Sequence, residues 1–212
     1  MQGDKTMQNP KEHWETVYQT KQPDAVSWFQ EHATRSLELI RSVGASVNAN
    51  IIDIGGGAST LVDDLLSSGF KNVSVLDLSA SALGVVRKRL GTAGDRVTWI
   101  SGDICTLNLP VQAYDIWHDR AVFHFLTHPV DRAAYVQQVM KSVKPGGHVI
   151  VATFAPDGPE QCSGLPVARY APGELHQEFG PSFELLEHMS DEHKTPWGSV
   201  QHFVYCHCLK PH

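Results

Sequence analysis

Residues 51–60, Ile-Ile-Asp-Ile-Gly-Gly-Gly-Ala-Ser-Thr, constrain this chain more than any other stretch. The β-branched Ile51 and Ile52 lead into Asp53, and Gly55, Gly56 and Gly57 follow before a helix opens. Glycines let the backbone turn sharply and let a ligand approach with no Cβ in the way. The helix N-terminus beyond them adds unpaired N–H groups and a positive partial charge. The segment therefore reads as a ligand loop at the end of a first parallel strand.

The chemistry of the loop selects the ligand. A dinucleotide fingerprint requires Gly-x-Gly-x-x-Gly. Gly55 and Gly57 fill its first two positions, but Thr60 occupies the third. Asp53, two residues before Gly55, would repel a pyrophosphate and suits an ammonium group. S-adenosylmethionine (SAM) carries an ammonium and no phosphate. Val73–Asp77 reads as a second strand ending in an acid able to accept both ribose hydroxyls. Val97–Ile104 reads as a third strand whose exit carries Asp103, an acceptor for an adenine amino group.

Through Asp53/Gly55/Gly57, Asp77, Gly102-Asp103, Tyr114-Asp115-Ile116-Trp117 and Lys144-Pro145-Gly146-Gly147, the chain resembles the class I SAM-dependent methyltransferases from about residue 50 onward. Ser59 stands where many members carry another glycine. The resemblance implies SAM as cofactor. It implies cofactor contacts from Asp53, Gly55, Gly56, Gly57, Ser59, Thr60, Asp77, Leu78, Asp103, Ile104, Asp119 and Trp28.

The pattern along the chain agrees. Leu61/Leu65/Leu66, Leu83/Val86/Leu90 and Tyr135/Val136/Val139/Met140/Val143 recur at helical spacing between short β-branched strands. That alternation predicts an α/β fold, a doubly wound Rossmann-like sheet covered on both faces. His148–Phe154 reads as a fifth strand, and Phe183–His188 with Val200–Leu209 as a terminal hairpin. The expected sheet has seven strands, parallel except for an antiparallel C-terminal one. Residues 1–9 are expected to lack order, with Met7 an alternative start. Pro10–Tyr18 suggests a short helix. Ser27-Trp28-Phe29-Gln30 has the form of a capping box for a helix ending at Gly44. The division is a helical lid over 1–45 and a SAM-binding domain over 46–212.

Composition narrows the partners. A net charge of −6 disfavours a nucleic-acid substrate. No apolar run reaches membrane-spanning length, and no signal peptide opens the chain. The four cysteines are too scattered for a disulfide scaffold, so a cytoplasmic protein is expected, as monomer or homodimer. His202, Cys206, His207 and Cys208 invite a metal reading, but along a strand they are too spread for one tetrahedral ion, and no metal is expected.

The resemblance places the end of the fourth strand against the transferred methyl. Asp119 is expected near the methionine part of SAM and in catalysis, and Arg120 as the partner of a nearby acid. His124, one helical turn on, is the candidate base and substrate contact. The long loop after strand five brings Cys162, Arg169 and Tyr170 as further substrate contacts. No Asn-Pro-Pro-Tyr-like segment follows strand four, which disfavours an amide or nucleobase amino acceptor. Trp14-Glu15-Thr16-Val17-Tyr18 and Val26-Ser27-Trp28-Phe29-Gln30 resemble the lids of thiopurine, tellurite-resistance and bacterial small-thiol methyltransferases, and also those of protein lysine methyltransferases. A small substrate, a thiol or sulfide, is expected, with a protein lysine as the alternative and a non-catalytic SAM-binding protein as a third possibility.

Overall fold

The computed structural model describes residues 9–22 and 24–212. The expectations of disorder before Pro10 and of a start at Met7 fall outside the described residues, except at Asn9. That residue is ordered: its side chain accepts the N–H of Lys11 at 3.0 Å and caps α1 (Pro10–Thr20). The remaining helices are α2 (Thr34–Ser42), α3 (Leu61–Ser67), α4 (Ala80–Leu90), α5 (Pro129–Ser142) and α6 (Pro172–Phe179). The strands are β1 (Asn50–Ile54), β2 (Asn72–Asp77), β3 (Thr98–Ser101), β4 (Tyr114–Arg120), β5 (Val143–Phe154), β6 (Gln161–Cys162), β7 (Leu165–Pro166), β8 (Glu184–Lys194) and β9 (Val200–Leu209).

Seven strands form one sheet in the order β3-β2-β1-β4-β5-β9-β8, and β9 alone runs antiparallel to its neighbours β5 and β8. Successive strand residues face opposite sides, so each core strand splits its apolar residues between two layers. Ile51, Ile116 and Tyr205 pack with Leu39 and Ile40 of α2 and Leu61 and Leu65 of α3. Ile52, Ile54 and Trp117 pack on the other side with Tyr135 and Val139 of α5 and Leu175 and Phe179 of α6. The same parity sends Asp53, His118 and Arg120 toward the α2 layer and Asp119 toward α5.

Several boundaries differ from the sequence reading. The capping box at Ser27 does not form, because the first turn of α2 is supplied from elsewhere: Asp64 of α3 accepts the N–H of Ala33 at 2.8 Å. Gly44 does end that region, with φ +67 and its N–H on the carbonyl of Arg41. Strand β3 stops at Ser101, since Gly102 turns the chain and Asp103 accepts the N–H of Cys105 at 2.9 Å. The long loop after β5 holds a β6–β7 hairpin turning at Ser163 (φ +52) and Gly164 (φ +79), followed by helix α6.

Candidate functional site

Strand order reverses between β1 and β4, because β1 continues outward through β2 and β3 while β4 continues through β5. Chains leaving the carboxyl ends of these two strands diverge and open a crevice, the general ligand site of such sheets. Trp28, Asp53, Gly55, Gly56, Ser59, Thr60, His118 and Arg120 line it here. Six of these were expected cofactor residues, and His118 and Arg120 were not.

Asp53 is 2% exposed. One carboxylate oxygen lies 2.7 Å from Nδ1 of His118, its neighbour in the β1–β4 register. The other oxygen is buried with no partner among the described residues. A buried carboxylate oxygen without a donor is costly, and a ligand ammonium would satisfy it. The glycines leave room for one. A Cβ at Gly56 would lie 2.3 Å from that free oxygen, and one at Gly57 would lie 2.5 Å from the Asp77 carboxylate. Gly55 takes the left-handed conformation at φ +71.

Asp77 accepts the N–H of Gly57 at 3.0 Å and that of Ser79 at 2.8 Å, while the Ser79 hydroxyl caps α4 through Ala82. A carboxylate has about four acceptor positions, so hydroxyls can still join it. Burial pushes its pKa up to about 6 against those two N–H groups. Leu78 is half-buried, Ile104 is buried and Asp103 is exposed along the same rim.

The exit of β4 redirects three expectations. Asp119 is fully buried and accepts the N–H groups of Val122 (2.8 Å) and Phe123 (3.1 Å) and the Tyr135 hydroxyl (2.6 Å), which itself accepts from the Trp117 indole. This carboxylate braces the turn at Ala121, whose φ of +73 is strained for a residue with a Cβ, and it faces α5 rather than the crevice. His124 is also fully buried, against the rings of Phe125 and Phe154, with neither ring nitrogen bonded among the described residues. Burial, then the charge of Arg120, pulls its pKa down to about 3, so it is no base at neutral pH. Arg120 has no acid partner among the described residues. Its guanidinium lies 4.2 Å over the Phe203 ring and donates to the Trp28 carbonyl at 3.4 Å, and two of its nitrogens are buried and unbonded.

Helix α1 lies across the β2–α4 junction. Glu15 accepts the N–H groups of Ala80 (2.7 Å) and Ser81 (3.3 Å) at the α4 N-terminus, and the Ser81 side chain first, then these N–H groups, hold its pKa below the usual carboxylate range. Trp14 packs against Tyr18, Trp28 and Phe125 at ring separations of 5.2–6.0 Å. Cys162, buried in the same layer, has its thiol pKa pushed up to about 11 by burial. Arg169 and Tyr170 turn away from this space. Arg169 staples its own loop through the Gly158 carbonyl and Glu160 (both 3.2 Å), and the Tyr170 ring packs in the α5–α6 layer near Phe123. Cys206 and Cys208 share the α5–α6 layer and His207 faces the opposite side toward His148, and no group of three metal-binding side chains converges among the described residues.

The vacant Asp53 oxygen, the cradle at Gly56 and Gly57 and the acid at the end of β2 fit an amino acid joined to a nucleoside, the two halves of SAM. Comparisons with known proteins agree. A methyltransferase-domain family pattern matches residues 51–147. A human protein, EEF1A lysine methyltransferase 2, is 23% identical over 84% of this chain and 76% of its own length. A ubiquinone biosynthesis O-methyltransferase from Pectobacterium carotovorum is 31% identical over 49% of this chain and 42% of its own. A solved structure from work on the conversion of a disulfide bond into a thioacetal group during echinomycin biosynthesis superposes with a TM-score of 0.78 at 15% identity, covering 96% of this chain and 93% of that one. The glycine loop, the sheet order and these matches converge on a methyltransferase domain that spans residues 51–147 of this chain.

Proposed function

We propose that this enzyme methylates a small, soft nucleophile, a thiol or sulfide, held beneath α1 beside Arg120. In this reading Asp53 takes the ammonium of SAM, Asp77 its ribose hydroxyls and Asp103 its adenine amino group. When bound, the cofactor supplies a methyl group on a cationic sulfur, open to in-line displacement.

The observation that carries the acceptor class is a buried cation with no base at hand. Arg120 keeps two buried nitrogens unbonded. Asp119 is engaged by three donors, and His124 stays neutral. An acceptor that must lose a tightly held proton inside the site would get no help from Asp119 or His124. A thiol ionises in water at a pKa of roughly 8.5, and its anion would be drawn to the guanidinium. Trp14, Tyr18, Trp28 and Phe125 form an aromatic wall of the kind that suits sulfur.

Production of S-adenosylhomocysteine from SAM, measured across small thiols, sulfides, amines, alcohols and a lysine peptide, tests this. We expect a thiol to be fastest, with a rate that climbs with pH until the thiol is ionised. Arg120→Met should lower that rate at least tenfold, and His124→Gln should leave the pH profile unaltered. A lysine peptide faster than every small compound would overturn it. One feature favours that second reading: the open groove beside Phe29 and Gln30 carries Asp24, Glu31 and Glu192 against Lys194, a surface suited to a basic segment.

A further inference from the structure

His118 is 2% exposed, on β4, and both of its ring nitrogens are engaged. Nδ1 lies 2.7 Å from Asp53 and Nε2 lies 2.8 Å from the hydroxyl of Ser36 on α2. That hydroxyl is 3.5 Å from the hydroxyl of Tyr205 on β9. An ionised carboxylate cannot donate, so Nδ1 carries a hydrogen. The contacts form a continuous line from Tyr205 on β9 through Ser36 on α2 and the His118 ring to Asp53. The order serine, histidine, aspartate is that of a nucleophile triad. Ser36, however, is only 1% exposed at the crevice wall, too enclosed to stand free as a nucleophile. Ser36, His118 and Asp53 all line the crevice, and the hydrogen-bond chain ends on the bonded oxygen of Asp53.

We infer that His118 is a positioning residue for the cofactor. It holds one oxygen of Asp53 so that the other is presented to the ammonium, and Ser36 anchors that alignment to α2. The inference rests on the role proposed above for Asp53. The physical need is plain. Asp53 follows from a strand into a glycine loop that offers its side chain no other donor, so an untethered carboxylate would have to be ordered at the moment of binding. At metal sites, partners that orient a ligating side chain in this way change affinity by about 10–100-fold. Because the chain ends on Asp53, its effect should be greatest at the amino-acid end of the ligand.

Titration calorimetry of the full chain with two probes separates this from mere packing. S-adenosylhomocysteine has the amino-acid end, and 5′-methylthioadenosine lacks it. His118→Ala should weaken S-adenosylhomocysteine roughly tenfold while moving 5′-methylthioadenosine by less than about twofold. Ser36→Ala should produce the same selective loss at about threefold, and as a small change in a well-packed layer it decides the matter if His118→Ala does not fold. Equal weakening of both probes, or no weakening of either, overturns the inference. The Asp53 reading fails separately: Asp53→Asn binding S-adenosylhomocysteine as tightly as the native chain would remove the ammonium site itself.

Discussion

Asp53 and Asp119 end adjacent strands, Asp53 at 2% exposure and Asp119 fully buried, yet their surroundings assign them opposite tasks. Asp53 faces the α2 layer with one oxygen bonded and the other vacant. Asp119 faces the α5 layer, where two backbone N–H groups and a phenol fill it. An acid at the carboxyl end of a strand is therefore not a ligand by position alone. Strand parity decides which layer it enters, and the local supply of donors decides whether any acceptor capacity is left for a ligand. Arg120, one residue on from Asp119, falls on the Asp53 side and keeps the vacancies that Asp119 lacks.

The strongest way to break this contrast is to delete each carboxylate. Asp119→Ala strands three buried donors and releases the strained turn at Ala121, so unfolding free energy should fall by about 3–5 kcal/mol. Asp53→Ala strands only the His118 ring and should cost about 1–2 kcal/mol. Urea denaturation measures both, and equal losses would erase the distinction. Cofactor affinity should answer in the reverse order. Asp53→Ala and Asp77→Ala should each lose about 1.5–3 kcal/mol of SAM binding, roughly tenfold to a hundredfold. Unchanged affinity in the folded Asp53 or Asp77 variant would remove that residue from the site.

The first half of this arrangement was legible in the sequence because its signals are local. An acid before clustered glycines, a second acid after a β-branched run and Ser79 ready to cap α4 each state their chemistry within a few residues. The β4 exit was not legible, and the reason is geometric. Which of Asp119 and Arg120 enters the crevice depends on the strand continuing to Arg120, and nothing in Trp117-His118-Asp119-Arg120 announces where it stops. His118 was passed over for the same reason, since its partners Asp53 and Ser36 come from distant segments. The false capping box at Ser27 failed because Asp64, 31 residues beyond Ala33, supplies the donor's partner instead. Helix α6 did carry signals, with Pro172 at its start, Leu175 and Phe179 four residues apart and Gly180 at its end. It is one of the shorter helices, in a stretch otherwise rich in turn residues.

Acid titration sharpens the comparison further. Burial pushes the pKa of Asp119 up to about 6, above its unfolded value of roughly 4. The folded state therefore holds the proton more tightly across that interval, and stability falls as pH rises from about 4 to about 6. Asn at this position keeps one acceptor for the turn but cannot ionise. Asp119→Asn should flatten this part of the stability profile by about 2 kcal/mol between its two ends. Urea midpoints at pH 4.5 and 7 test it, and a slope identical to the native one would mean that Asp119 is not the titrating group.

The smallest expected effect concerns α1, whose polar contacts fall on the cofactor half of the site and whose one aromatic contact with the β4 exit is Trp14 against Phe125. We expect α1 and the segment through Trp28 to act as a lid that tightens when SAM binds. Glu15 anchors it to the N-terminus of α4, just beyond Asp77, and Gln19 adds a second bond to the Ser81 hydroxyl there. A carboxylate at a helix N-terminus contributes about 0.3–1 kcal/mol when partly exposed. Glu15→Gln should therefore cost less than 1 kcal/mol of SAM affinity by this route. Hydrogen exchange reads the lid directly: residues 10–20 should gain protection on addition of S-adenosylhomocysteine, and the Glu15→Gln chain should gain less. Residues 119–126, braced by Asp119 whether or not ligand is present, should show little change. Equal protection of both segments would mean that binding rigidifies the whole end of the sheet, and identical exchange with and without ligand would leave α1 as plain packing on the β2–α4 junction.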